Sequence, residues 1–142
     1  MSQAVTYPIT LSISADVHAT IEETARRTTR DVASVAVEML AEAARMRRVP
    51  GIVFADGVHG RVAQVAGTGL EVWEIVERYQ AIGEDWKRLK QEFEWLSEPQ
   101  LRAALAYAEA YAEEIAERLR AEERWTPETL YGTHPFMKPT AP

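Results

Sequence analysis

The spacing of apolar positions changes period along the chain, and each period predicts a different element. Over residues 6–14, Ile9, Leu11 and Ile13 alternate with Thr10, Ser12 and Ser14, the two-residue period of a half-buried strand. Val17, Ile21 and Ala25 then repeat every four residues and predict a short amphipathic helix, with Ser14 or Asp16 to cap it. Thr28-Thr29-Arg30-Asp31 is a polar break whose Asp31 suits the N-cap of a second helix. That helix carries Val32, Val35, Ala36, Met39, Leu40 and Ala43, and closes on Arg45–Arg48 and Pro50-Gly51. Beyond it, Ile52–Phe54 and Arg61–Val65 flank the turn-rich ADGVHG and predict a hairpin. Helices are predicted over Leu70–Ala81 and about Glu84–Phe93. A third, long helix starts at Ser97, where Ser97 and Gln100 have capping-box spacing. Leu101, Leu105, Ala108, Ala112, Ile115 and Leu119 share one of its faces, and Glu114 and Arg118 form an i, i+4 pair.

One strand and two helices bury too little apolar surface to stand alone, and a lone strand leaves both edges unpaired. Pairing the strands of two chains as an antiparallel ribbon over four helices removes both difficulties. The order ITLSIS, helix, polar turn, helix, over roughly residues 6–48, resembles the ribbon-helix-helix family. The resemblance implies a dimer that reads DNA with the outward side chains of its ribbon. Ile9, Leu11 and Ile13 are then the dimer core, because burying the alternate set would strand hydroxyls. Pro8, Thr10 and Ser12 face the bases, and Arg30 assists the start of the second helix in holding phosphate. No Arg, Lys, Asn or Gln stands on that reading face, so bidentate contacts worth about 1–3 kcal/mol each are absent and base readout is weak.

VAGTGLEVWEIVE, followed by EWLSEPQLRAALAYAEAYAEEI, is similar to the family called domain of unknown function 433, over about residues 50–117. That resemblance implies a small three-helix, helix-turn-helix-like fold and a relationship to VapB-type antitoxins, which pair with PIN-like nuclease toxins. The family's glycine-threonine turn continues with arginine; this chain has Gly69 there. The Ala66–Gly69 segment matches no P-loop and reads as a structural turn.

The expected fold class is therefore mainly α, in three parts. These are a ribbon-helix-helix domain over 1–49, an antitoxin-like helical domain with a hairpin over 50–124, and an aromatic-containing tail over 125–142. In the tail Trp125, Tyr131 and Phe136 are large apolar side chains on a segment with little core of its own. They are candidate anchors for a partner, or they cover the chain's own apolar face.

Composition narrows the chemistry. The 142 residues are 46% apolar and 27% charged, without cysteine, and the three histidines His18, His59 and His134 stand far apart. No thiol nucleophile, cysteine zinc site or HExxH pattern is available, and the carboxylates fall at spacings typical of solvated helix faces. The chain is expected to be no enzyme, to need no cofactor or metal, and to work in the cytoplasm without a membrane span. Its charge of −6 lies in residues 51–125, with nine basic and fifteen acidic side chains, while residues 1–50 are neutral with six of each. Any nucleic-acid contact belongs to the first third, and an acidic body suits a basic protein partner. The function expected is a homodimeric (or higher, even-numbered) antitoxin-like transcription regulator that binds operator DNA and neutralises a PIN-like toxin. The alternatives are a regulator without a toxin and an oligomerisation module that has lost DNA binding.

Overall fold

The computed structural model describes residues 5–123, residue 132 and residues 135–137. Among them are six α-helices and one two-stranded antiparallel sheet, so the chain is mainly helical with a small hairpin. The order is α1 (Ala15–Thr28), α2 (Val32–Arg48), β1 (Ile52–Gly57), β2 (Gly60–Val65), α3 (Val72–Ala81), α4 (Trp86–Glu92), α5 (Glu98–Ala110) and α6 (Ala112–Glu123), with a 3-10 turn at Pro135–Met137. No helix among the described residues is long and apolar enough to cross a membrane. The chain divides into two compact units, Met1–Ala43 and Ala44–Pro142.

In the first unit α1 ends where Thr29 takes a left-handed backbone conformation, φ 54°. The Arg30 N–H then donates to the Ala25 carbonyl at 2.9 Å, which closes the helix in the Schellman manner and reverses the chain within three residues. Asp31 starts α2 as its sequence position predicts. Its carboxylate accepts the Ser34 N–H at 2.7 Å and the Ser34 hydroxyl at 3.0 Å. These hydrogen bonds hold the Asp31 carboxyl below its ordinary pKa. The turn brings Ile21 and Ala25 of α1 against Val35 of α2, with Ala36 and Met39 partly buried beside them.

Residues 5–14 are not part of any strand and belong to neither strand of the sheet, because β1 and β2 pair only with each other. The strand expected over 6–14 is thus absent: a strand is defined by backbone bonds to a neighbour, and neither β1 nor β2 pairs with this segment.

The second unit is built on the hairpin, whose register runs from Ile52↔Val65 to Gly57↔Gly60. Val58 and His59 form its two-residue loop, and Gly60 has φ 108°, a conformation the tight turn requires and glycine alone adopts freely. Ile52, Ala63 and Val65 enter the core with Val72 and Ile75 of α3, Leu89 of α4, and Leu101, Ala104 and Tyr107 of α5. The Ala66–Gly69 turn is structural, as expected. The Thr68 hydroxyl donates to the Val65 carbonyl at 2.8 Å and accepts the Leu70 N–H at 3.0 Å. Gly69 has φ 72°, which explains why glycine serves this position well.

The capping box at Ser97 is formed. Its hydroxyl accepts the Gln100 N–H at 3.3 Å, and the Gln100 side chain accepts the Ser97 N–H at 2.8 Å. Ser97→Ala is expected to lower stability by about 1 kcal/mol, read as a reduced midpoint in urea unfolding at unchanged slope.

Two expectations need correction. The long helix from Ser97 is two helices, broken at Tyr111, where the backbone turns to φ −126°, ψ 50°. The Tyr111 N–H still donates to Tyr107 at 2.8 Å and the Ile115 N–H to Tyr111 at 3.2 Å. The apolar period therefore survives the break, and no glycine or proline announces it. The Glu114–Arg118 pair is absent as well. Glu114 reaches Arg45 at 2.8 Å, while Arg118 pairs with Glu122 at 3.1 Å and approaches Glu71 at 4.0 Å. Partners close in space displace the one four residues away.

Candidate functional site

Among its described residues, the first unit buries three apolar side chains, Ile21, Ala25 and Val35, and exposes nine large ones. Five of the nine, Val5, Tyr7, Ile9, Leu11 and Ile13, come from the segment ahead of α1, and the helices add Val17, Val32, Val37 and Leu40. Ile9, Leu11 and Ile13 are 73%, 56% and 45% exposed. Burying them is favourable by roughly 1.5–3 kcal/mol each, so this segment is the strongest unmet demand for a partner in the unit. Pro8, Thr10 and Ser12, the alternate set, are exposed too.

The proposed phosphate contact is less open than the sequence suggests. Arg30 donates through Nη1 to Glu38 at 3.0 Å, with both side chains about one-third exposed. The Asp31 carboxylate already accepts one of the amide groups at the start of α2, that of Ser34, and sets a negative charge where a phosphate would sit. Arg26 and Arg27, in the last turn of α1, are exposed.

The second unit carries a polar network that sequence reasoning does not find. Tyr107, fully buried, donates its hydroxyl to Glu114 at 2.5 Å and accepts from Arg45 Nη1 at 3.0 Å, and Arg45 completes the triangle to Glu114 at 2.8 Å. Burial, with Glu114 adding to it, pushes the Tyr107 phenol well above its ordinary pKa. Arg45 also lies 4.5 Å from the centre of the Tyr111 ring. These groups stand 62 and 69 positions apart in the chain, beyond the reach of any local periodicity. The network joins helices α2, α5 and α6.

Among the concavities on the same unit, two differ sharply in lining. One, of about 280 Å³, lies beside the hairpin and is lined by His59, Arg61, Trp73, Glu117 and Arg118 among others. Arg61 pairs there with Asp56 at 3.2 Å, and Arg118 with Glu122, Glu71 and, at 5.5 Å, the Trp73 ring, while the buried Arg118 Nε has no hydrogen-bond partner among the described residues. The other, of about 530 Å³, runs between α3, α5 and α6. Val76, Tyr79, Leu105, Ala108, Ala112, Ile115, Ala116 and Leu119 give it an apolar lining, and its charged residues are Glu84 and Glu109. Among the described residues no three His, Cys, Asp or Glu side chains are grouped to hold a metal ion. Of the tail anchors, Trp125 and Tyr131 lie outside the described residues, and Phe136 is 83% exposed.

A hairpin followed by α3, α4 and α5, with its core at Val65, Ile75, Leu89, Leu101 and Tyr107, thus defines a small helical domain. Its residues 52–108 match the family described as Protein of unknown function (DUF433). The matched stretch begins after the first unit ends. No curated protein and no solved structure matches the chain.

Proposed function

We propose that the chain is a homodimeric, antitoxin-like transcription regulator. Its first unit pairs with that of a second copy as a ribbon-helix-helix and contacts operator DNA. Its second unit engages a basic protein partner of the PIN-like nuclease kind. The observation that carries this reading is the unpaired segment over residues 5–14, with Ile9, Leu11 and Ile13 exposed ahead of a helix pair that buries three side chains. A second copy of the same segment satisfies both needs at once: backbone groups pair across the ribbon, and the alternating apolar face closes over the helices. The nuclease partner follows from the resemblance of residues 50–117 and from charge. Six excess acidic side chains in residues 51–125 can cover the basic face on which a nuclease holds RNA. The reading assigns no catalytic step to this chain.

In such a dimer Pro8, Thr10 and Ser12 face the major groove, and Arg30 exchanges Glu38 for phosphate. Affinity then rests more on phosphates than on base edges. Fluorescence anisotropy with the gene's own promoter DNA, from 50 to 200 mM salt, tests this. Changing Thr10 and Ser12 to alanine should blunt sequence preference. Arg30→Ala should weaken binding to all sequences alike and reduce the log–log salt slope by about 2 for a dimer, one contact per chain.

The capped start of α2 favours a second reading. With the Asp31 carboxylate on the Ser34 amide and Arg30 held by Glu38, the first unit can serve dimerisation alone. A stable dimer with no salt-dependent affinity for promoter DNA would select that oligomerisation module.

A further inference from the structure

We propose that the groove between α3, α5 and α6 is the surface on which a basic, amphipathic helix of a partner protein docks. The proposal deepens the reading of the second unit as protein-binding and rests on it. The groove holds about 530 Å³, and eight apolar side chains from three helices line it. Its apolar lining suits the apolar face of a helix, which presents side chains at three- and four-residue intervals. Ala108, Ala112 and Ala116 keep the α5–α6 side shallow, so a partner backbone can come close.

Charge selects the occupant. The charged residues of the lining, Glu84 and Glu109, pair with no basic side chain among the described residues, and both are exposed. Glu109 is shared with a neighbouring concavity, where Glu113, Glu114 and Glu117 outnumber the one cation of its described lining, Arg45, which Glu114 holds, and with another that Arg102 borders. Burying an apolar helix here therefore places its flanks beside unneutralised carboxylates. Lysine or arginine on those flanks is attracted, and an acidic helix is repelled. Phosphate-bearing polymers are repelled for the same reason.

The probe is a synthetic amphipathic helix of about sixteen residues, leucine on one face and lysine on the other. It is titrated into the full-length, nitrogen-15-labelled protein beside a control with glutamate replacing lysine. The lysine peptide should bind, shifting amide signals of Val76, Leu105, Ala112, Ala116 and Leu119, and the glutamate peptide should not. Ala112→Trp fills the groove and should weaken binding by about tenfold or more. Because tryptophan there can disturb the fold, Glu84→Lys with Glu109→Lys is the second variant. It leaves the apolar lining untouched and should reverse the preference toward the glutamate peptide. Shifts confined to other parts of the second unit would overturn the groove and leave the protein-binding reading standing. No binding of either peptide anywhere on the second unit would overturn both.

Discussion

Replacing Leu11 with aspartate is expected to leave the chain monomeric, whereas the native chain is expected to sediment as a dimer at low micromolar concentration. In the proposed dimer Leu11 would be the centre of a buried row Ile9, Leu11, Ile13; in the single chain it is 56% exposed. An unpaired carboxylate in that row costs several kilocalories per mole in any arrangement that buries it, and no slip of register rescues it. A one-residue slip would bury Thr10 and Ser12 in its place. Because the first unit alone buries three side chains, loss of pairing should also lower the helix content of α1 and α2 in circular dichroism. Thr10→Asp, one position along on the opposite face, is the control and should dimerise normally. A Leu11→Asp chain that still dimerises would refute the ribbon.

Tyr107→Ala is expected to be the most destabilising single change in the second unit, by about 3–5 kcal/mol. Tyr107 is the largest fully buried side chain there and packs edge-on to Phe54, with ring centres 6.2 Å apart, and against Tyr111 at 4.7 Å. Its hydroxyl meets both Arg45 and Glu114. Truncation thus opens a cavity and takes one member from a charged triangle. Tyr107→Phe separates the two losses: it keeps the ring and should cost about 1–3 kcal/mol, the penalty of leaving partners unsatisfied. Urea unfolding of both variants measures the difference. Equal costs would mean that the network, and not the packing, dominates.

Where function turns on one chain alone, much was legible in the sequence. The capping box at Ser97, the cap at Asp31 and the hairpin each rest on a few adjacent residues, and the structure has all three. The break at Tyr111 was not legible, because its causes lie elsewhere. Its ring stacks on Tyr107 and under Arg45, a residue 66 positions earlier by residue number, and no local breaker marks it. The exchange of Arg118 for Arg45 as the partner of Glu114 has the same origin. The groove between α3, α5 and α6 shows in the sequence only as the period of Leu105, Ala108, Ala112 and Leu119, which reads equally as core. Only the arrangement of three helices leaves part of that row uncovered.

The first unit poses the reverse case. Period two in residues 6–14 is plain in the sequence, yet a strand exists only when something pairs with it. Its exposed isoleucines and leucine are the feature from which the proposed pairing with a second copy is argued.

The most direct test of this account detects backbone pairing between copies. A sample mixing isotope-labelled and unlabelled chains permits nuclear Overhauser effects to be filtered for contacts between molecules. The account predicts intermolecular amide and α-proton contacts in an antiparallel pattern over residues 8–14, with Ile9, Leu11 and Ile13 methyl groups touching those of the other chain. Intermolecular contacts confined to other surfaces, or a monomer with none, would contradict it.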